Sequence, residues 1–286
     1  MVSRSLRNPM QLGVALAALF LAGEGRLPAA ELTPATVRAW ETYVAATENR
    51  IHRELSQGSR FLSSDFQPPR AAAADRQAML SGRIMVAKME SRDGSGGEIE
   101  VPEGMIHHWR GGMFIPGVDL DYVLARVENP APDEIKQEDV LQSAVLGRGE
   151  GYLKLYLKLQ RTKIVTVVYN TVHEIRYERR PMNRAWSSSR TLKIAEVSHP
   201  NSPEEREKPE GQDHGFLWRL NSYWRYERVQ GGVFVECESL SLSRSIPSFL
   251  AFMIRPIIDR VARESMGRTL TSMRDRILRS KPPNHV

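Results

Sequence analysis

From residue 152 to 159 every second residue is leucine. Leu153, Leu155, Leu157 and Leu159 take one face, and Tyr152, Lys154, Tyr156 and Lys158 take the other. A period of two marks a half-buried strand. Residues 163–177, rich in β-branched types, read as the returning strand after a turn near Arg161 and Thr162. A two-residue turn would set Leu159 opposite Ile164, Leu157 opposite Thr166 and Leu155 opposite Val168. The leucine face would then continue through Val168, Asn170 and Arg176. A weaker strand follows over 184–197, then a polar, proline-bearing loop over 198–213.

The last hairpin alternates more sharply. Phe216, Trp218, Leu220, Ser222, Trp224 and Tyr226 share one face, and Arg219, Asn221, Tyr223, Arg225 and Glu227 share the other. A type I′ turn at Gly231 and Gly232 would pair Arg225 with Glu238, Glu227 with Glu236, Tyr226 with Cys237 and Trp224 with Ser239. A closing helix starts near Pro247 and is expected to break into two segments at Pro256. Ile258, Ala262, Met266, Leu270, Met273 and Ile277 form its apolar stripe, with Arg260, Arg263, Arg268 and Arg279 off it.

Upstream, Thr33 and Pro34 open a helix whose Val37, Trp40, Val44, Ile51 and Leu55 recur near helical spacing, with Gly58 as its stop. Residues 63–70 read as a linker and 71–80 as a short helix. Strands are expected over 82–90, 98–101 and 105–115, with turn chemistry at 93–97. Asp119 should cap a helix running to Val127, and the spaced glycines of 147–151 read as a turn between strands. Residues 1–30 have the form of a secretory signal peptide: Arg4 and Arg7, an apolar run over 12–22, then Ala29 and Ala30. The expectation is export, to the periplasm or the cell exterior.

An antiparallel sheet wrapped around a terminal helix is one of the few small architectures that can enclose an apolar cavity. The fold class expected is therefore α+β, with an extra N-terminal helix. The cavity would be lined by Leu155, Leu157, Val168, Asn170, Arg176, Trp218, Leu220, Ser222, Trp224, Ile258, Ala262 and Met266, and would take a hydrophobic small molecule or lipid.

Charge narrows the partners. The formal net charge is +6, of which the leader carries +2 through Arg4, Arg7 and Arg26 against Glu24. The basic residues of the remainder are interleaved with acidic ones, so no nucleic-acid footprint is present. Transient attraction to an anionic membrane is compatible with this balance, and no stable protein partner can be inferred. Cys237 is the only cysteine, so no intramolecular disulfide can form, and its strand position reads as core.

The order of a strand, a helix, several antiparallel strands and a long final helix resembles the START-like, or SRPBCC, helix-grip superfamily. Within it, the chain is most like exported bacterial members. The residues that carry the resemblance are 107–116, 216–226 and Ser245-Ile246-Pro247 leading into the last helix. It implies a helix-grip domain over 101–286, preceded by an N-terminal helix and β extension over 31–100. It also implies a cavity between sheet and helix, without implying one chemistry.

Candidate chemistry is sparse. Adjacent strand residues His107 and His108 point to opposite faces and cannot share a metal ion. His173 and His214 lack ligand partners at zinc-site spacing, so no metal or cofactor is expected. Asp119 and Asp121 fit capping. No G-x-S-x-G elbow activates any of the many serines. Glu174 and Arg176 share a strand face and could orient a polar headgroup if that face lines the cavity. No catalytic residue is assigned. Three readings stay open: a binding protein; a cyclase- or hydrolase-type enzyme using His107, His108, His173 or Glu174; and a structural domain with a filled core.

Overall fold

In the computed structural model, which describes residues 32–130, 139–162, 166–210, 212–246 and 248–280, the chain begins with a capped helix. The leader expected at residues 1–30 lies outside the described residues. Thr33 Oγ1 accepts the Thr36 N–H at 3.1 Å, and Pro34 opens helix α1 (Pro34–Leu55). A single 3-10 turn (Ser63–Phe66) lies within the expected linker and leads to α2 (Pro69–Leu80). Strands β1 (Met85–Lys88) and β2 (Gly104–Pro116) follow, then α3 (Leu120–Glu128), capped by Asp119 Oδ1 on the Tyr122 N–H at 2.7 Å. The rest is β3 (Val140–Gly149), β4 (Tyr152–Thr162), β5 (Thr166–Arg180), β6 (Arg184–Ser198), β7 (Arg206–Glu207), β8 (Arg219–Val229), β9 (Gly232–Arg244) and α4 (Ser248–Arg279).

All strands join one antiparallel sheet in the order β1-β2-β9-β8-β6-β5-β4-β3, with β7 paired to β6. Helix α4 lies along β2 on the inner face. Asp259 meets Lys88 at 3.0 Å, Met266 and Leu270 sit over Gly111, and the Tyr122 hydroxyl donates to the Ile277 carbonyl at 3.4 Å. The stripe Met266, Leu270, Met273 and Ile277 is buried against Trp109, Met113, Val235, Cys237 and Tyr226, while Arg260, Arg263, Arg268 and Arg279 are exposed. A long helix laid along one face of an antiparallel sheet is the helix-grip arrangement, α+β in class.

The outer face is covered too. Trp40, Tyr43, Ile51 and Leu55 of α1, with Phe61, Leu62 and Met79, pack on Phe114, Phe234, Leu240 and Leu242. Two neighbouring glycines allow both layers to come close. A Cβ at Gly111 would stand 2.6 Å from Met266 Cγ and Leu270 Cδ1, and one at Gly112 would stand 2.7 Å from Met79 Sδ. Any side chain at either position would push a helical layer away from β2.

Between those apolar contacts the outer face is charged. Arg110, Arg225, Glu227, Glu236 and Glu238 are all buried there. Arg225 reaches Glu54 and donates to the Phe61 carbonyl at 2.8 Å; Glu238 pairs with Arg50 and accepts from His108 Nε2 at 2.7 Å. Arg76 bridges Asp65 and Glu227, each at 2.7 Å, and Arg110 meets Asp75 at 3.1 Å. Burial acts to raise the Glu238 carboxyl, but the His108 hydrogen bond and the Arg50 charge bring it below its ordinary value.

Two hairpins differ from the sequence expectation in instructive ways. In β8–β9 the turn is Gln230–Gly231, with Gly231 at φ +88°, so Arg225 faces Glu236, Tyr226 faces Val235 and Trp224 faces Cys237. This is a slip of two residues, and every side chain keeps its face. In β4–β5 Thr162 pairs with Thr166, which sets Leu155 opposite His173 and Leu157 opposite Thr171. That slip is odd-numbered and flips the face. The linking residues 163–165 lie outside the described ones.

Other departures are local. Gly147 and Gly149 belong to β3, an edge strand that the pattern did not reveal, and the turn falls at Glu150 and Gly151. The expected strand over 98–101 is a single bridge between Arg92 and Glu98. Helix α4 runs through Pro256 as one element instead of two. The polar loop contributes the short β7.

Replacing Arg225 with Met should remove the buried partner of Glu54, leaving that carboxylate to Arg50, and leave the Phe61 carbonyl without its donor, at a cost of about 3 kcal/mol or more. Urea unfolding measures this, and a loss below about 1 kcal/mol would mean the network is only decorative.

Candidate ligand-binding cleft

Strand β9 changes character halfway along its inner face. Val233, Val235 and Cys237 come first and are buried under α3 and α4; Ser239, Ser241 and Ser243 follow. Central strands have neighbours on both sides, so exposure there can come only from above or below the sheet. On the outer face Leu240 and Leu242 are 0% exposed and Tyr223 is 3% exposed. On the inner face Ser239, Ser241, Leu220, Ser222 and Trp224 all keep part of their surface open. The openness is therefore on the inner side, beyond the point where Met266 and Leu270 clamp α4 to β2.

Cross-strand register defines the floor of this cleft. One row reads His107, Ser241, Leu220, and continues through Thr191, His173 and Leu155, with the Thr191 hydroxyl bonded to the Leu220 carbonyl. The next row reads Trp109, Ser239, Ser222, Ser189, Ile175 and Leu153. Leu153, Leu155, Leu159 and Tyr169 are buried yet belong to neither packed apolar cluster among the described residues. They occupy the inner face at the far side from α4's contact with β2.

Polar groups are set into this face. His173 bonds Thr171 Oγ1 at 2.9 Å and Thr191 Oγ1 at 3.2 Å, and burial pushes its imidazole down to about 4. His107 bonds Ser243 Oγ at 2.9 Å and is likewise pushed down to about 4 by burial, against the pull of Asp259. Both rings are neutral at pH 7. Four strand spacings separate them, roughly 19 Å, so they do not act as a pair. Tyr169 Oη and Trp109 Nε1 are buried on the same face with no hydrogen-bond partner among the described residues. Burial raises the Tyr169 phenol, so it stays a donor. Among the described residues no group of three or more His, Cys, Asp or Glu is placed to hold a metal ion.

Of the residues expected to line a cavity, Leu155, Leu157, Leu220, Ser222 and Trp224 face inward. Met266 is buried in the inner core, Ala262 packs against it, and Ile258 is half-buried. Val168, Asn170 and Arg176 stand on the outer face instead, because the β4–β5 register is odd relative to the expected one. Asn170 there accepts from the Tyr156 hydroxyl at 2.8 Å and donates to Glu207 at 3.0 Å. Glu174 and Arg176 pair at 3.0 Å on that face, away from the cleft. Trp218 precedes β8, so strand alternation does not govern it; it packs in the outer cluster and donates to Asp213 at 3.1 Å. His108 is also outward, bonded to the Tyr43 hydroxyl at 2.9 Å.

Sequence reasoning missed Thr171, Thr191, Tyr169 and the serines of β9 as lining residues. The signal was available in the alternation of Ser239, Ser241 and Ser243, which mirrors that of the leucines.

No protein-family model and no curated protein sequence matches the chain. Among solved structures it is similar to a STAR-related lipid transfer protein from Xanthomonas axonopodis, at 16% identity over 67% of this chain and 98% of that one, with a TM-score of 0.42. It is also similar to human StAR-related lipid transfer protein 5, at 12% identity over 85% and 98% of the two chains, with a TM-score of 0.43. An aromatase/cyclase from Streptomyces matches at 9% identity over 61% and 95%, with a TM-score of 0.41.

The histidines predict an acid response. Between pH 6.5 and 4 the unfolded chain protonates an imidazole that the folded chain keeps neutral, so stability is full above 6.5 and falls as pH drops towards 4. In His173→Gln the loss of unfolding free energy between pH 7 and pH 4 should shrink by up to about 3 kcal/mol. An unchanged acid slope would show that His173 is open to water.

Proposed function

We propose that this chain binds a hydrophobic small molecule or lipid in the cleft between the inner sheet face and helix α4. The observation that carries this reading is the partial exposure of inward residues on strands β8 and β9, which have a neighbouring strand on each side, beside the buried leucines of β4. Apolar surface transferred from water to those leucines contributes about 25 cal/mol per Å². The signal-like residues 1–30 support export, so the bound molecule would be met in the periplasm or outside the cell.

Binding without turnover is favoured over catalysis. The hydrogen bonds described for His107 and His173 go to hydroxyls, and the carboxylate near His107, Asp259, is paired with Lys88. A general base oriented by a carboxylate is therefore not assembled at either ring.

Leu157 offers a direct test, because it faces the cleft opposite Thr171 and is half-buried. An environment-sensitive apolar fluorophore should bind the wild-type chain saturably at one site. Leu157→Trp should fill the space and weaken binding by at least about tenfold while leaving the thermal transition in place. No saturable binding, or equal binding by the variant, would overturn the reading.

A further inference from the structure

We infer that the outer face of the sheet carries a second binding site, for a single neutral sugar ring, independent of the inner cleft. A cavity of about 180 Å³ lies there between α1 and strands β5, β6 and β8. Drug-sized ligands occupy roughly 300 Å³ or more, so the occupant is a smaller molecule. Among the described residues no aliphatic side chain borders this cavity, which sets it apart from a lipid site.

Its floor is a grid of two cross-strand rows. Glu174, Arg190 and Asn221 form one row, and Arg176, Ser188 and Tyr223 form the next. Neighbours stand roughly 5 Å apart across strands and 7 Å apart along them. Glu48 reaches down from α1, accepting from the Tyr223 hydroxyl at 2.9 Å and pairing with Arg190 at 3.3 Å. Glu174 pairs with Arg176 at 3.0 Å. All of these bonds fall on one oxygen, Oε1, of each carboxylate. Glu48 Oε2 and Glu174 Oε2 accept no hydrogen bond from the described residues, and Arg176 Nη1 and Arg190 Nη1 donate none to them. Asn221 is 6% exposed, lines the cavity, and has only the Tyr223 hydroxyl beside its amide. An amide buried that deeply with unused donors and acceptors points to a polar occupant.

The ion pairs decide the class of occupant. Each glutamate already has its arginine, so the charges cancel within the site. A phosphate would have to pull an arginine away from its carboxylate, and an ammonium ion the reverse. A zwitterion needs a positive end and a negative end, whereas here the two signs alternate across the grid. A hydroxyl donates and accepts at once. Neighbouring ring hydroxyls can give their protons to Glu48 Oε2 and Glu174 Oε2 and accept from the two arginines, with both ion pairs intact. Hydrogen bonds to ionised partners are the stronger kind. A ring also holds its hydroxyls in fixed directions, so less conformational freedom is lost on binding than with an open-chain polyol.

The test follows backbone amide NMR shifts of the full chain, titrated separately with glucose, galactose, N-acetylglucosamine, free glycine and inorganic phosphate. At least one sugar should shift the amides of Glu174, Ser188 to Arg190 and Asn221 saturably, and glycine and phosphate should not. Glu174→Ala breaks only a partly exposed pair, so the chain should stay folded. It should bind the sugar about tenfold more weakly or worse, while the apolar fluorophore binds as before. Ser188→Leu, which fills the cavity, should abolish the shifts. The inference is overturned if no sugar shifts these amides, if glycine or phosphate saturates them instead, or if Glu174→Ala binds the sugar like the wild type. Sugar binding without fluorophore binding would sink the inner-cleft reading and leave this site standing.

Discussion

Arg110, Arg225, Glu227, Glu236 and Glu238 sit in the middle of the outer sheet face, where they are shut off from water. A buried charge is tolerable only when paired and hydrogen-bonded. Here the partners Arg50, Glu54, Asp65, Asp75 and Arg76 all come from the helical segment that precedes β1. The N-terminal extension is thereby fixed as a second layer on the sheet. Moving it would strip Arg110 and Arg225 of their carboxylates, leave Glu227 to Arg184 and Glu238 to His108, and expose the apolar surface of Trp40, Ile51 and Leu55. The outer face still holds a cavity of about 180 Å³ beside the central strands, bordered by Glu48, Glu174, Arg176, Asn221 and Tyr223.

The inner face is divided by a single close approach. At Gly111 the absence of a side chain lets Met266 and Leu270 sit directly on β2, and from there to Ile277 the stripe packs against apolar strand positions, with a cavity of about 380 Å³ beside it bordered by Ile84, Val86, Arg263, Gly267 and Thr271. Beyond that contact the strand positions on β9 become serines, and the helix positions Ala262 and Ile258 are no longer fully buried. The two halves do different things. Under the proposed function the clamped half supplies stability, and the hydroxyl-floored half supplies space and hydrogen-bonding groups. Two neutral imidazoles on one cross-strand row, His107 and His173, add polar contacts without adding charge to a low-dielectric site.

Much of this was legible in the chain. The leucine alternation of β4, the stripe of α4 and the caps at Thr33 and Asp119 all translate directly, because each depends on local periodicity. Register was harder, since it depends on loop length. The slip of two in β8–β9 left Trp224 and Ser222 facing inward, whereas the odd slip in β4–β5 moved Val168, Asn170 and Arg176 outward and brought His173 and Thr171 in. Strand β3 escaped notice because it is an edge with two bulges and exposed Leu141, Val145 and Leu146, so no clean alternation survives. The outer ion network was beyond reach from sequence, since its partners are separated by up to 188 positions.

Amide hydrogen exchange with and without a saturating apolar ligand tests the central claim most directly. Occupation of the inner cleft should slow exchange in β4, in β8 around Leu220 to Trp224, and in β9 around Ser239 to Ser243, with α1 and α2 unchanged. Protection centred on α1, or no protection of the sheet at all, would contradict the account.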